Sequence, residues 1–125
     1  MTDTSLLYNY RATVTRIVDG DTIDAILDLG FGVTYKTRIR LAKFDAPEII
    51  SASCSEERQA GLDAAQFLAD TLKDKEVIIA TVKDRKDKYG RYLGYILVNG
   101  TCLNDVLVEK HSKKPEWGKF QTLQS

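Results

Sequence analysis

The stretch Tyr10–Leu41, YRATVTRIVDGDTIDAILDLGFGVTYKTRIRL, decides the fold. From Tyr10 to Val18 it alternates. Ala12, Val14, Arg16 and Val18 fall on one face and Thr13, Thr15 and Ile17 on the other, with β-branched residues in excess, the signature of a half-buried strand. Asp19-Gly20-Asp21-Thr22 reads as a short polar turn whose glycine is free to take a positive φ. Alternation resumes at Ile23, Ala25, Leu27 and Leu29, so the first two strands form a hairpin. After Gly30-Phe31-Gly32 a third strand sets Tyr35, Thr37, Ile39 and Leu41 against Lys36, Arg38 and Arg40, until Ala46-Pro47 stops it. Three strands in succession make a meander.

Downstream the period changes. Between Ser55 and Lys73, Ala60, Ala64, Phe67, Leu68, Thr71 and Leu72 recur at helical spacing, with Glu56, Asp63, Gln66, Asp70 and Lys73 pointing elsewhere, which predicts an amphipathic helix. Either Ser53, paired with Glu56 in a capping box, or Ser55 is expected to cap it. Val77–Val82 and Tyr92–Val98 read as a fourth and fifth strand around the charged loop Lys83–Arg91. Asn99-Gly100 marks a tight turn, and Leu103, Val106 and Leu107 predict a short helix before the polar tail 111–125. The order βββ-α-ββ-α suits a five-stranded barrel of the oligonucleotide-binding type, with two or three α-helices and a helix plugging the gap between strands three and four. One domain is expected over residues 1–125, its core about 10–110.

Composition narrows the function. Lysine plus arginine number 18 and aspartate plus glutamate 18, so the net charge is zero and a global electrostatic grip on nucleic acid is excluded; any polyanion is held by local basic groups. No apolar run approaches the roughly 18 residues of a membrane span, and Met1-Thr2-Asp3-Thr4-Ser5 lacks a basic-then-apolar leader pattern. A cytoplasmic monomer is expected, with no membrane partner. Cys54 and Cys102 have no ligand-like partners nearby and are expected as reduced thiols.

Three acidic residues stand at strand ends: Asp21 in the first turn, then Asp45 and Glu48 in Phe44-Asp45-Ala46-Pro47-Glu48. Two carboxylates with a backbone carbonyl and waters make a hard oxygen site for Ca²⁺ or Mg²⁺, and a third nearby could deprotonate a water. Arg40 and Arg91 could flank the same mouth, where planar guanidinium forks suit phosphate oxygens and strengthen their hold as charge develops. Taken singly, each piece has a bland explanation: a polar turn, a solvated strand arginine, a charged hairpin loop. His111, the lone histidine, is expected to cap a helix or stand exposed. Trp117, among Lys113, Lys114 and Lys119, is expected to anchor the tail rather than stack on a base.

In order and spacing, Val18-Asp19-Gly20-Asp21-Thr22, Arg40-Leu41-Ala42-Lys43-Phe44-Asp45-Ala46-Pro47-Glu48, Asp87-Lys88-Tyr89-Gly90-Arg91 and Asn99-Gly100 through Leu103-Asn104 resemble the staphylococcal (micrococcal) nuclease family of Ca²⁺-dependent nucleases. The resemblance runs from Tyr10 to about Lys110. It implies Asp21, Asp45 and the backbone carbonyl of Ala46 as Ca²⁺ ligands, Glu48 acting on the attacking water, and Arg40 and Arg91 clamping the scissile phosphate. It further implies Lys88 and Tyr89 as contacts to a terminal nucleotide phosphate. The implied substrates are DNA and RNA, single strands preferred, cut with little sequence selectivity. Three departures stand out: Lys43 where many members have glycine, Ala46 where the best-known member has threonine, and a 113–125 segment without the family's tyrosine-bearing segment and final helix. The competing reading is a catalytically silent barrel that binds single-stranded nucleic acid or a protein, though such copies are expected to lose the carboxylates or arginines retained here.

Overall fold

The structure is a computed structural model that describes residues 8–50, 52–73, 75–86 and 90–112. In chain order it forms β1 (Asn9–Asp19), β2 (Thr22–Gly30), β3 (Val33–Leu41), α1 (Ser55–Leu72), β4 (Glu76–Lys86), β5 (Tyr92–Val98), β6 (Thr101–Cys102) and α2 (Leu103–His111). The first three strands are the antiparallel meander, and β4 joins the free edge of β1 while β5 pairs with β4. The parallel pairing Ile39↔Tyr92, Arg40↔Leu93 and Leu41↔Gly94 then joins β3 to β5. That pairing closes the five long strands into a barrel and removes the exposed sheet edges. The expected fold is therefore present, with two helices among the described residues.

Inward-facing alternate residues of the strands fill the barrel. Val14, Ile23, Ile39, Leu41, Ile79 and Ile96 are inaccessible to solvent, as are Leu68 and Leu72 of α1 and Leu107 of α2. Burying each such aliphatic side chain contributes roughly 1.5–3 kcal/mol. The helix buries its Ala64, Leu68 and Leu72 stripe in this core, so the period seen in the sequence corresponds to the packed face. No helix among the described residues is long and apolar enough to cross a membrane.

Four local expectations are corrected. The alternation of β1 does not run through to Val18. Register shifts between Val14 and Arg16 and again between Ile17 and Asp19 mark bulges, which leave Arg16 exposed and turn Ile17 toward the core. β3 ends at Leu41 rather than at Ala46-Pro47, because the chain turns at Lys43, whose φ of 63° lies in the left-handed region. The helix cap is neither serine. Cys54 is the N-cap and its Sγ accepts from the Glu57 N–H at 3.4 Å, while the Ser53 hydroxyl is engaged elsewhere. A two-residue strand, β6, follows the Asn99-Gly100 turn, whose residues both have positive φ, the geometry of a tight hairpin.

Candidate active site

The turn between β1 and β2 is pressed against two other parts of the chain. Gly20 is not among the positive-φ glycines; glycine is required there for space. A Cβ at that position would lie 2.7 Å from the Ala46 Cβ and 3.3 Å from the Ala64 Cβ. Small residues at 20, 46 and 64 thus bring the acidic turn, the loop after β3 and α1 into contact. Asp21 points into the junction. Its Oδ2 accepts from the Ala46 N–H at 3.0 Å, its Oδ1 from the Thr22 hydroxyl at 3.1 Å, and its own N–H donates to Asp19 Oδ1 at 3.1 Å. Burial holds the Asp21 carboxyl above its usual range and the Asp19 carboxylate pushes the same way, opposed by the Ala46 N–H and the Arg40 charge.

Arg40, near the end of β3, lies directly opposite Thr22 in the β2–β3 ladder. Only 15% of its side chain is exposed. Its guanidinium donates to the Leu41 and Phe44 carbonyls and to Asp45 Oδ1, and Nη2 stands 3.5 Å from Asp21 Oδ2. The left-handed turn at Lys43 folds the chain back so that Phe44 and Asp45 reach this arginine. Asp45 is the accessible member, with 82% of its side chain exposed. Glu48 is exposed on the same loop.

Arg91 arrives from the far end of the sequence. Because Tyr92 pairs with Ile39 and Arg40 with Thr22, barrel closure brings Arg91 to the first turn, where Nη1 donates to Thr22 Oγ1 at 3.2 Å. Thr22 is wholly buried and is a member of the site that the sequence reading left without a role, as is Asp19. The only signal for either was adjacency to Asp21 within one polar turn.

These groups share one open cleft of about 720 Å³, lined by Asp19, Asp21, Asp45 and Glu48, by Arg40 and Arg91, and by the neighbouring residues from Ala46 to Ile50. Six of the eight residues singled out from the sequence therefore meet: Asp21, Arg40, Asp45, Ala46, Glu48 and Arg91. The other two, Lys88 and Tyr89, lie outside the described residues, as do Trp117 and its neighbouring lysines. A smaller cleft of about 250 Å³, lined by residues including Tyr10, Leu27, Tyr35 and Tyr92, has no carboxylate, lysine or arginine among its lining residues. His111 ends α2 with its ring 5.1 Å from that of Phe67, away from the acidic cleft.

A model of staphylococcal nuclease homologues matches residues 38–111, more than half of the chain. The sequence is 40% identical over 92 residues to Protein ParB of Escherichia coli, covering 71% of this chain and 42% of that one. It is 38% identical over 88 residues to Micrococcal nuclease of Shigella flexneri, covering 70% and 42%. To Endonuclease YhcR of Bacillus subtilis it is 35% identical over 106 residues, covering 80% and 8%. The chain spans less than half the length of each of these relatives.

Proposed function

As the chain belongs to the staphylococcal nuclease family, we propose that its acidic cleft hydrolyses phosphodiester bonds of DNA and RNA, with Ca²⁺ as cofactor and little sequence selectivity. One observation carries this reading: the base Glu48, two guanidinium groups and three further carboxylates line a single cleft although they come from three separate parts of the chain. Selectivity for sequence is low because the cleft offers groups for phosphate and few for base edges; single strands are proposed as the preferred substrate.

The donor set fits a hard cation. Asp21 Oδ2 and Asp45 Oδ1 already converge on one positive nitrogen, Arg40 Nη2. No three histidine, cysteine or acidic side chains among the described residues cluster tightly enough to hold an ion by themselves, so the Ala46 carbonyl and water would complete the shell that Ca²⁺ prefers. When bound, Ca²⁺ would neutralise phosphate charge at the cleft. Glu48, exposed and acceptor-only when ionised, takes a proton from the water whose oxygen attacks phosphorus, and as the bond from phosphorus to the leaving sugar oxygen breaks that oxygen takes a proton from solvent water in the open cleft. Arg40 and Arg91 donate to the phosphate oxygens as their charge grows. Arg40 is held from behind by two carbonyls, which fixes its fork before substrate arrives.

The test is digestion of single-stranded DNA and of RNA by the purified protein in millimolar Ca²⁺ and in excess chelator. Cleavage of both polymers with Ca²⁺ and none with chelator is expected. Intact polymer under both conditions would leave a binding module in place of an enzyme.

A further inference from the structure

Glu57 is a carboxylate with no exposed surface. It lies in the first turn of α1, on the face otherwise made of Gly61, Ala64, Leu68 and Leu72. An acid in that position is expensive to desolvate unless donors meet it. The donors come from the loop that carries Glu48. Glu57 Oε2 accepts from the Glu48 N–H at 3.3 Å, and Oε1 accepts from the Ser53 N–H at 2.7 Å and the Ser53 hydroxyl at 2.9 Å. Both oxygens are thus used to hold two points of one loop against the helix.

One turn further along, the same helix face grips the same backbone a second time. A Cβ at Gly61 would stand 2.6 Å from the Pro47 carbonyl oxygen, 2.8 Å from Ile49 Cγ1 and 3.0 Å from the Glu48 carbonyl oxygen. Glycine in a helix interior costs about 1 kcal/mol relative to alanine, and here it admits the loop. Glu48 therefore has its N–H held by Glu57 and its carbonyl seated over Gly61, while its side chain remains exposed at the cleft.

We infer that Glu57 is a positioning residue for Glu48: it fixes the backbone from which the water-activating carboxylate projects, and Gly61 provides the seat. This rests on the nuclease reading of the cleft. Displacing a base by about 1 Å is enough to lower turnover strongly without changing substrate affinity, so the clamp acts on the chemical step.

The experiment compares the parent, Glu57→Gln, Glu48→Gln and the double variant on single-stranded DNA with Ca²⁺. Glu57→Gln is expected to lower kcat at least about tenfold with KM within about twofold. In the double variant it should add no further loss to that of Glu48→Gln, because its effect passes through Glu48. An unchanged kcat in Glu57→Gln, or losses that multiply in the double variant, would overturn the inference while leaving the nuclease reading intact. A parent without activity sinks the nuclease reading instead. Amide hydrogen exchange on the parent judges the clamp without any variant, and so covers the case in which Glu57→Gln fails to fold. The Glu48 and Ser53 amides should exchange together with the first turns of α1, and a Glu48 amide exchanging at the rate of a free loop would dismiss the clamp.

Discussion

Arg91 donates through Nη1 to Thr22 Oγ1 at 3.2 Å, and that hydroxyl donates in turn to Asp21 Oδ1 at 3.1 Å. A guanidinium at the start of β5 is thereby tied to a carboxylate in the β1–β2 turn through one buried threonine. Thr22→Val keeps the shape and removes the tie. It is expected to lower kcat about tenfold and stability by about 1 kcal/mol, measured by steady-state kinetics and thermal melts. Turnover equal to the parent would mean that Thr22 does not orient Arg91.

The two arginines should both matter for turnover, and Arg40 for stability as well. Each change to alanine is expected to reduce turnover by about two orders of magnitude. Arg40 also satisfies the Leu41 and Phe44 carbonyls and stands beside the half-buried Asp21. Arg40→Ala should therefore also destabilise by about 2–3 kcal/mol. Urea melts of Arg40→Ala and the parent decide it.

Asp21 is expected to oppose folding when no cation is bound, since its charge is largely buried beside Asp19. Asp21→Asn should leave the protein at least as stable as the parent in chelator. Ca²⁺ should raise the parent's melting temperature by mass action and fail to do so in the variant. Melts with Ca²⁺ and with chelator show both effects, and an undiminished Ca²⁺ shift in Asp21→Asn would remove this residue from the proposed metal site.

Lys43 spends its left-handed φ of 63° on turning the chain toward Asp45, with its ammonium 5.9 Å from the Tyr95 ring centre. Strain of about 1–2 kcal/mol in that region exceeds a surface cation–π contact of about 0.5–1 kcal/mol. Lys43→Gly should therefore stabilise by up to about 1 kcal/mol. Lys43→Ala, which keeps the strain and loses the contact, should destabilise. Equal melting temperatures for the two variants would contradict this.

The cross-strand pair Asp24↔Arg38 gives a pH signature away from the cleft. Arg38 Nε and Nη2 donate to the two Asp24 oxygens at 2.8 and 3.3 Å, and this bonding holds the Asp24 carboxyl below its usual 3.8. With the folded value lower, the stabilisation is present above 3.8 and fades as pH falls through the folded value. Both side chains are partly exposed, so about 0.5 kcal/mol is expected. Asp24→Asn should be less stable than the parent at neutral pH and equal to it in strong acid, as melts across pH will show.

The parts legible in the sequence are those where one physical rule acts alone. Ile23, Ala25 and Leu27 alternate because one face of β2 packs inward, and Ala64, Leu68 and Leu72 recur because one face of α1 does. Three of the four acidic groups of the cleft and both basic ones could be selected because their chemistry is unusual at strand ends. Competing rules hid the rest. The bulge after Val14 reverses the faces, so Ile17 is inside where alternation puts it outside. Glu57 carries no signal in the sequence, because the loop amides that donate to it are brought there by the fold. Cys54 was missed as a cap because sulfur is a weak acceptor. Asn104 was noted in a motif without a role, yet it is buried and binds the Ala42 and Gly94 carbonyls and the Ile96 N–H, partners that only tertiary structure brings together.

The parallel pairing of β3 with β5 bears on the order of events during refolding. It joins segments distant in the chain, whose union is slow because a large loop must close before any contact rewards it. The same union carries Arg91 to Thr22. A meander that has formed without it has Asp21 and Arg40 but lacks their second guanidinium, so hydrolytic competence should return in step with barrel closure and behind the earliest recovery of secondary structure. On the proposed function the cleft is thus a kinetic reporter of its own scaffold, silent toward nucleic acid until β5 is seated against β3.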